Sequence, residues 1–204
     1  MPLNGRPLDA PIPIAQLLRA GLARDPDGVA LASTAARCSR LDLDRASDNL
    51  AGNYLELGLK PGDRVASLMP NRIALMIHYL ACMKTGLVGV PLNYRYTTPE
   101  IDRALAVSGA SMLIAHAERE RDVAASRQVR ELPRGIVYAE ADDRRRPSLQ
   151  QLMDTTPGSK EFPIPRSSDP AFIFFTSGST GAAKGVTHSR EGIGWMFAGY
   201  AAAH

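Results

Sequence analysis

The stretch Ala171-Phe172-Ile173-Phe174-Phe175-Thr176-Ser177-Gly178-Ser179-Thr180-Gly181-Ala182-Ala183-Lys184-Gly185 decides the reading of this chain. Its first five residues have the composition of a buried strand. The ten that follow hold four hydroxyls, three glycines and one lysine. Glycines let a backbone approach an anion and turn its N–H groups toward it. Ser and Thr hydroxyls donate further hydrogen bonds to phosphate oxygens. A lysine adds a mobile positive charge. The end of a parallel strand is where α/β sheets bind ligands, so the combination points to a polyphosphate. It is not the common P-loop, which needs Gly-x-x-x-x-Gly-Lys-Ser/Thr. Counted from Gly178, the second glycine falls on Ala183 and the Ser/Thr on Gly185.

Upstream, short apolar runs alternate with helical patterns. Ile14, Leu17, Leu18 and Leu22 have helical spacing, and Val29 to Ala32 reads as a short strand. Ser39 is an N-cap candidate, with Asp42 reaching back to the free N–H groups, and Gly58 ends the helix that follows. Lys60-Pro61-Gly62-Asp63 is a turn, then Arg64 to Leu68 a strand, Ile73 to Met83 a buried helix and Leu87 to Leu92 a strand. Thr98-Pro99-Glu100 starts a helix that stops at Gly109. Met112 to Ala115 and Ile136 to Tyr138 read as strands, with a helix over Glu118 to Arg130 between them. This order predicts an α/β fold: a mostly parallel sheet with helices on both faces. The charge run Asp142 to Arg146 reads as a solvated loop, and Pro157 to Pro170 as an extended linker. We expect residues 1–62 to form a helix, short strands and a capped helix, and residues 63–204 an α/β lobe ending in the phosphate-binding loop.

Composition excludes more than it identifies. The chain has 204 residues, 45% hydrophobic and 22% charged, so it is neither disordered nor disulfide-stapled. A net charge of +3, spread along the chain, gives no basis for nucleic-acid binding. Cys38 and Cys82 form neither a disulfide framework nor a zinc signature, and the four histidines have no metal-ligand spacing. No residue is assigned to a metal. His78 reads as a core or helix-surface histidine, and Trp195 and Phe197 as packing residues. No signal peptide is evident, and the run Ile73 to Met83 is too short to span a bilayer. A cytoplasmic protein without an integral membrane segment is expected.

Thr176-Ser-Gly-Ser-Thr-Gly-x-x-Lys184-Gly185 resembles the phosphate-binding loop of the adenylate-forming superfamily. That superfamily holds acyl-CoA synthetases, luciferases and the adenylation domains of peptide synthetases. Eight fixed positions at about 6% usage each give a chance match of about 10⁻¹⁰ per start site. Ala183 departs from the family, which usually has proline there. The turn and strand from Leu59 to Ala66, then Met69-Pro70-Asn71, Gly89-Val90-Pro91-Leu92-Asn93 and Ser108 to Ile114, fit family landmarks upstream.

The resemblance implies an AMP-dependent acyl-CoA synthetase. A fatty or other carboxylic acid attacks the α-phosphate of ATP, giving an acyl-adenylate and pyrophosphate, and the thiol of coenzyme A then takes the acyl group. Thr176, Ser177, Ser179 and Thr180 supply hydroxyls in this reading, and Gly178 and Gly181 supply backbone access. Lys184 neutralises charge on the departing pyrophosphate, which Mg²⁺ also bridges. Leu92-Asn93-Tyr94-Arg95 is more like acyl-CoA synthetases than peptide-synthetase domains. Family members are far longer, so the resemblance implies an incomplete N-terminal adenylation domain, inactive alone. The acyl pocket, a Mg²⁺-binding glutamate and a lid with its catalytic lysine are expected after His204. The other reading is a non-catalytic nucleotide- or phosphate-binding, or interaction, module of the same fold. An exposed sheet edge would favour self-association.

Overall fold

The computed structural model describes residues 10–13, 18–34, 36–140, 148–176 and 184–203. Helix α1 is Arg19–Arg24, and the strands β1 Val29–Ala32 and β2 Arg37–Ser39 pair antiparallel as a separate ribbon. There follow α2 Arg40–Glu56, β3 Arg64–Leu68, α3 Ile73–Thr85, β4 Val88–Pro91, α4 Thr98–Ser108 and β5 Met112–His116. A 3₁₀ turn Ala117–Arg119, α5 Glu120–Ala125 and α6 Arg127–Arg130 lead to β6 Ile136–Ala139. Then come α7 Leu149–Asp154, β7 Pro170–Thr176, β8 Lys184–Ser189 and α8 Arg190–Ala203.

Six strands form one sheet in the order β6-β5-β3-β4-β7-β8. All neighbours are parallel except β7 and β8. Both faces are buried, because alternate residues along each strand enter different cores. Val65, Met112, Ile114, Val137 and Ala139 join one core, with α2, α3 and α7. Ala66, Leu68, Leu113, Ala115 and Tyr138 join the other, with α4, α5 and α6. The expected α/β fold with helices on both faces is what forms.

Local chemistry sets the element ends. Ser39 Oγ accepts from the Asp42 backbone N–H at 3.1 Å and donates to the Asp42 carboxylate at 2.7 Å. The carboxylate thus holds the cap's hydroxyl instead of reaching a backbone donor. Helix α4 starts one residue earlier than Thr98-Pro99 suggests. Its cap is Thr97, in a capping box with Glu100, and Pro99 occupies the second position. The helix expected over Glu118 to Arg130 is broken. Ser126 is extended, caps α6 and donates to the carboxylate of Asp102. Helix α7 lies outside the sequence reading. Its last carbonyls are satisfied from α2: Asn49 Nδ2 donates to Met153 O at 2.9 Å, and Asn53 Nδ2 to Leu152 O and Thr155 O at 2.8 Å. The charge run Asp142 to Arg146 lies outside the described residues, as does part of the first predicted helix.

His78 is a core residue. It is fully buried in α3, with Nδ1 2.8 Å from the Tyr54 hydroxyl, and Nε2 has no partner among the described residues. Burial lowers its pKa from 6.5 to about 3. Between those values the unfolded chain binds a proton that the folded chain refuses. The corresponding stability is therefore fully present above pH 6.5 and is lost as pH falls toward 3. Its size is on the order of 4 kcal/mol. Urea midpoints measured from pH 7 to pH 4 should fall steeply for the wild type and less for His78→Gln. Parallel falls in both proteins would refute this assignment.

Candidate functional site

The phosphate-loop motif spans a β-hairpin. Strands β7 and β8 pair from Phe172↔His188 to Thr176↔Lys184. Thr176 and Lys184 face each other across the mouth, and residues 177–183 connect them. Ser177, Gly178, Ser179, Thr180 and Gly181 lie outside the described residues. Strand β8 itself had no signal in the sequence. Lys-Gly-Val-Thr-His-Ser lacks an apolar alternation, and four of its six residues are exposed. It is the edge of the sheet.

Side chains of β7 divide between the two cores. Phe172 and Phe174 stack at 5.4 Å on the α3 side, and Tyr79 meets Phe172 edge-on at 5.4 Å. Ile173 and Phe175 pack on the α4 side. Past Phe172 the strand is only half-buried, less than its composition suggests. Strand β4 pairs with β7 in register only at Gly89↔Phe172. Gly89 allows this seat, since a Cβ there would lie 2.6 Å from Phe172 Cε1. Gly185 is similarly crowded, with a Cβ position 3.0 Å from Ile173 Cγ2 and 3.7 Å from Val107 on α4.

Because β7 runs parallel to β4, Thr176 and Lys184 lie at the carboxyl edge of the sheet. That edge also carries Met69-Pro70-Asn71 after β3 and Leu92-Asn93 after β4. Both Thr176 and Lys184 are exposed. The lysine ion pairs among the described residues are made by Lys84 instead, with Asp44 at 2.7 Å and Asp48 at 2.6 Å. Lys184 is exposed at the open end of the sheet and has no ion pair among the described residues. Among the described residues, no group of three His, Cys, Asp or Glu could hold a metal ion.

The same edge holds a polar cluster that sequence patterns did not reveal. His116, at the end of β5, accepts from the Glu118 backbone N–H at Nδ1, and its Nε2 lies 3.2 Å from Glu140. The Tyr94 hydroxyl donates to Glu118 at 2.6 Å, and this bond lowers the Glu118 pKa. Arg72 lies 3.7 Å from Glu140. The His116 Nε2 makes no hydrogen bond among the described residues despite the nearby Glu140, and the cluster links the ends of β4, β5 and β6. His188 packs edge-on against Phe174 at 5.3 Å, a packing role. Ser189 accepts from Gly192 N at 3.1 Å and caps α8, as its position suggests. Trp195 and Phe197 are less packed than expected, at 44% and 40% exposed, with the more exposed Met196 and Tyr200 beside them. No helix among the described residues is long and apolar enough to cross a membrane.

The family model for AMP-binding enzyme matches residues 18–204. Feruloyl-CoA synthase from an Amycolatopsis species is 40% identical over 157 residues, covering 76% of this chain and 28% of that protein. Phosphinothricin tripeptide synthetase PhsC from Streptomyces viridochromogenes is 29% identical over 172 residues, covering 84% of this chain and 15% of that protein. The solved structure of a Mycobacterium tuberculosis fatty acyl CoA synthetase superposes with a TM-score of 0.75 at 27% identity. It covers 87% of this chain and 34% of that one. The chain therefore spans about a third or less of the length of these relatives.

Proposed function

We propose a function from one premise: the chain belongs to the AMP-binding enzyme family. In this reading it is the part of an ATP-dependent acid–thiol ligase that holds the β- and γ-phosphates of ATP. The carrying observation is the hairpin mouth, where Thr176 and Lys184 frame a Ser/Thr/Gly-rich connection at the carboxyl edge of the sheet. A carboxylate oxygen attacks the α-phosphorus, the bond to the bridging oxygen breaks, and pyrophosphate leaves with that electron pair. Lys184 follows the charge that builds on the leaving group. Ser177, Ser179 and Thr180, with Thr176, donate hydroxyls to the phosphate oxygens, while Gly178 and Gly181 let the backbone approach. Mg²⁺ arrives with the triphosphate, as its counter-ion. In the second half-reaction the thiol of coenzyme A takes the acyl group and AMP leaves. The 40% identity to a CoA synthase, with Asn93-Tyr94-Arg95 after β4, favours a CoA ligase over a peptide-synthetase domain. The two cysteines, buried and unpaired, favour a cytoplasmic setting.

Acid-dependent exchange of labelled pyrophosphate into ATP tests this reading. A protein of the relatives' length carrying this sequence should catalyse it, and the 204-residue chain alone should not. No exchange by the longer protein with aliphatic or aromatic acids would overturn the ligase reading. A second reading is a non-catalytic phosphate-binding module built on the same hairpin mouth. That reading requires tight ATP·Mg²⁺ binding by the 204-residue chain in calorimetry, where the ligase reading expects weak binding.

A further inference from the structure

Arg190 is a buried cation without a carboxylate partner among the described ion pairs. It is the first residue of α8, directly after β8, and only 7% exposed. One terminal nitrogen donates to Met83 O at 2.8 Å and the other lies 3.4 Å from Cys82 O. Its Nε has no partner among the described residues. Met83 and Cys82 belong to the last turn of α3, where carbonyls lack intrahelical donors and the helix end carries partial negative charge. The guanidinium caps that end. Burial pushes its pKa down, against the opposing charge of Asp169.

The backbone is tied at the same place. Arg190 N donates to Asp169 O at 2.9 Å, and Glu191 N donates to Ser167 O at 2.9 Å. Asp169 in turn accepts from Arg166 N at 2.8 Å. The hairpin base is therefore fastened to α3, a helix of the core. Strand β7 is also held by its side chains in the two cores, whereas β8 is an edge strand paired only with β7.

We propose that Arg190 is a positioning residue for the phosphate-binding hairpin, setting the angle at which Thr176 and Lys184 are presented. The six steps along β8 from Arg190 place Lys184 about 20 Å from this anchor. A tilt of roughly 10° at the base then moves Lys184 by about 3.5 Å. A misplacement of about 1 Å can cost about 100-fold in a reaction that depends on positioning. A residue far from any phosphate thus governs the contact.

This proposal rests on the reading of residues 176–184 as the phosphate site, so its test has one arm free of nucleotide. Hydrogen exchange is measured on the 204-residue chain, wild type, Arg190→Met and Arg190→Lys. The β8 amides that point toward β7, which are alternate residues of this edge strand, should exchange at least tenfold faster in Arg190→Met, with Ala66 and Leu113 in β3 and β5 unchanged. Arg190→Lys keeps the charge but offers one donor point in place of a fork, so it should fall between. If Arg190→Met does not fold, Arg190→Lys decides alone: selective loss in β8 supports the anchor. Unchanged β8 exchange, or equal loss in every strand, overturns it. The second arm is pyrophosphate exchange in a protein of the relatives' length. Arg190→Lys should raise half-saturating MgATP roughly tenfold and leave that of the acid unchanged. Equal changes for both would mark a merely structural residue. If the wild type shows no exchange, the ligase reading fails, while the amide data still decide the anchor.

Discussion

Replacing Lys184 with alanine should lower acid-dependent ATP–pyrophosphate exchange by about 10²–10³-fold in a protein of the relatives' length. Removing one fixed donor from a developing anion typically costs about 3–4 kcal/mol, which is that factor. The effect is expected to be clean because Lys184 is exposed and the lysine ion pairs of the described core belong to Lys84. The melting temperature should change by less than about 2 °C, as for other surface substitutions. Lys184→Arg should recover part of the rate, since charge returns but the planar fork cannot follow the leaving group as an ammonium can. Full activity in Lys184→Ala would remove the residue from the reaction.

Gly89→Ala carries the largest expected effect on stability. The added Cβ would lie 2.6 Å from Phe172 Cε1 and 2.8 Å from Cδ1. Phe172 cannot step aside, because Tyr79 meets it edge-on and Phe174 stacks upon it. Overpacking a seat of this kind costs about 3 kcal/mol, or roughly 6–12 °C in melting temperature for a chain of this size. Phe172→Leu should be destabilising alone yet partly rescue Gly89→Ala, with a coupling of about 1–2 kcal/mol. Strict additivity of the two changes would mean that the clash is not the cause. The link to function is direct, since Gly89↔Phe172 is the one register pair that seats the hairpin on the parallel sheet.

Much of this fold could be read from local chemistry. Arg64–Leu68 and Ile73–Thr85 carry strong apolar runs between Gly and Pro punctuation, and Gly109 stops α4 with a φ of +59°. What escaped was written in contacts distant in sequence. Helix α7 is short and is held by Asn49 and Asn53 from about a hundred residues earlier. Ser126 breaks a helical pattern because Asp102 takes its hydroxyl. Strand β8 has no apolar period and is defined by its ladder to β7. The same division holds at the site. In the proposed site, Thr176 to Lys184 stand out in the sequence because hydroxyls, glycines and a lysine announce a chemistry by type. Arg190 does not, because an arginine at a helix start reads as a surface charge until the carbonyls of α3 are seen around it.

In the proposed function, the open end of the β7–β8 hairpin, between Thr176 and Lys184, receives a polyphosphate. Amide NMR of the 204-residue chain titrated with magnesium pyrophosphate tests it most directly, since millimolar affinities remain visible. Shifts should saturate and be concentrated at Thr176 and at Lys184 to Val186, and be abolished in Lys184→Ala. Shifts confined to other surfaces, or identical shifts in Lys184→Ala, would contradict it.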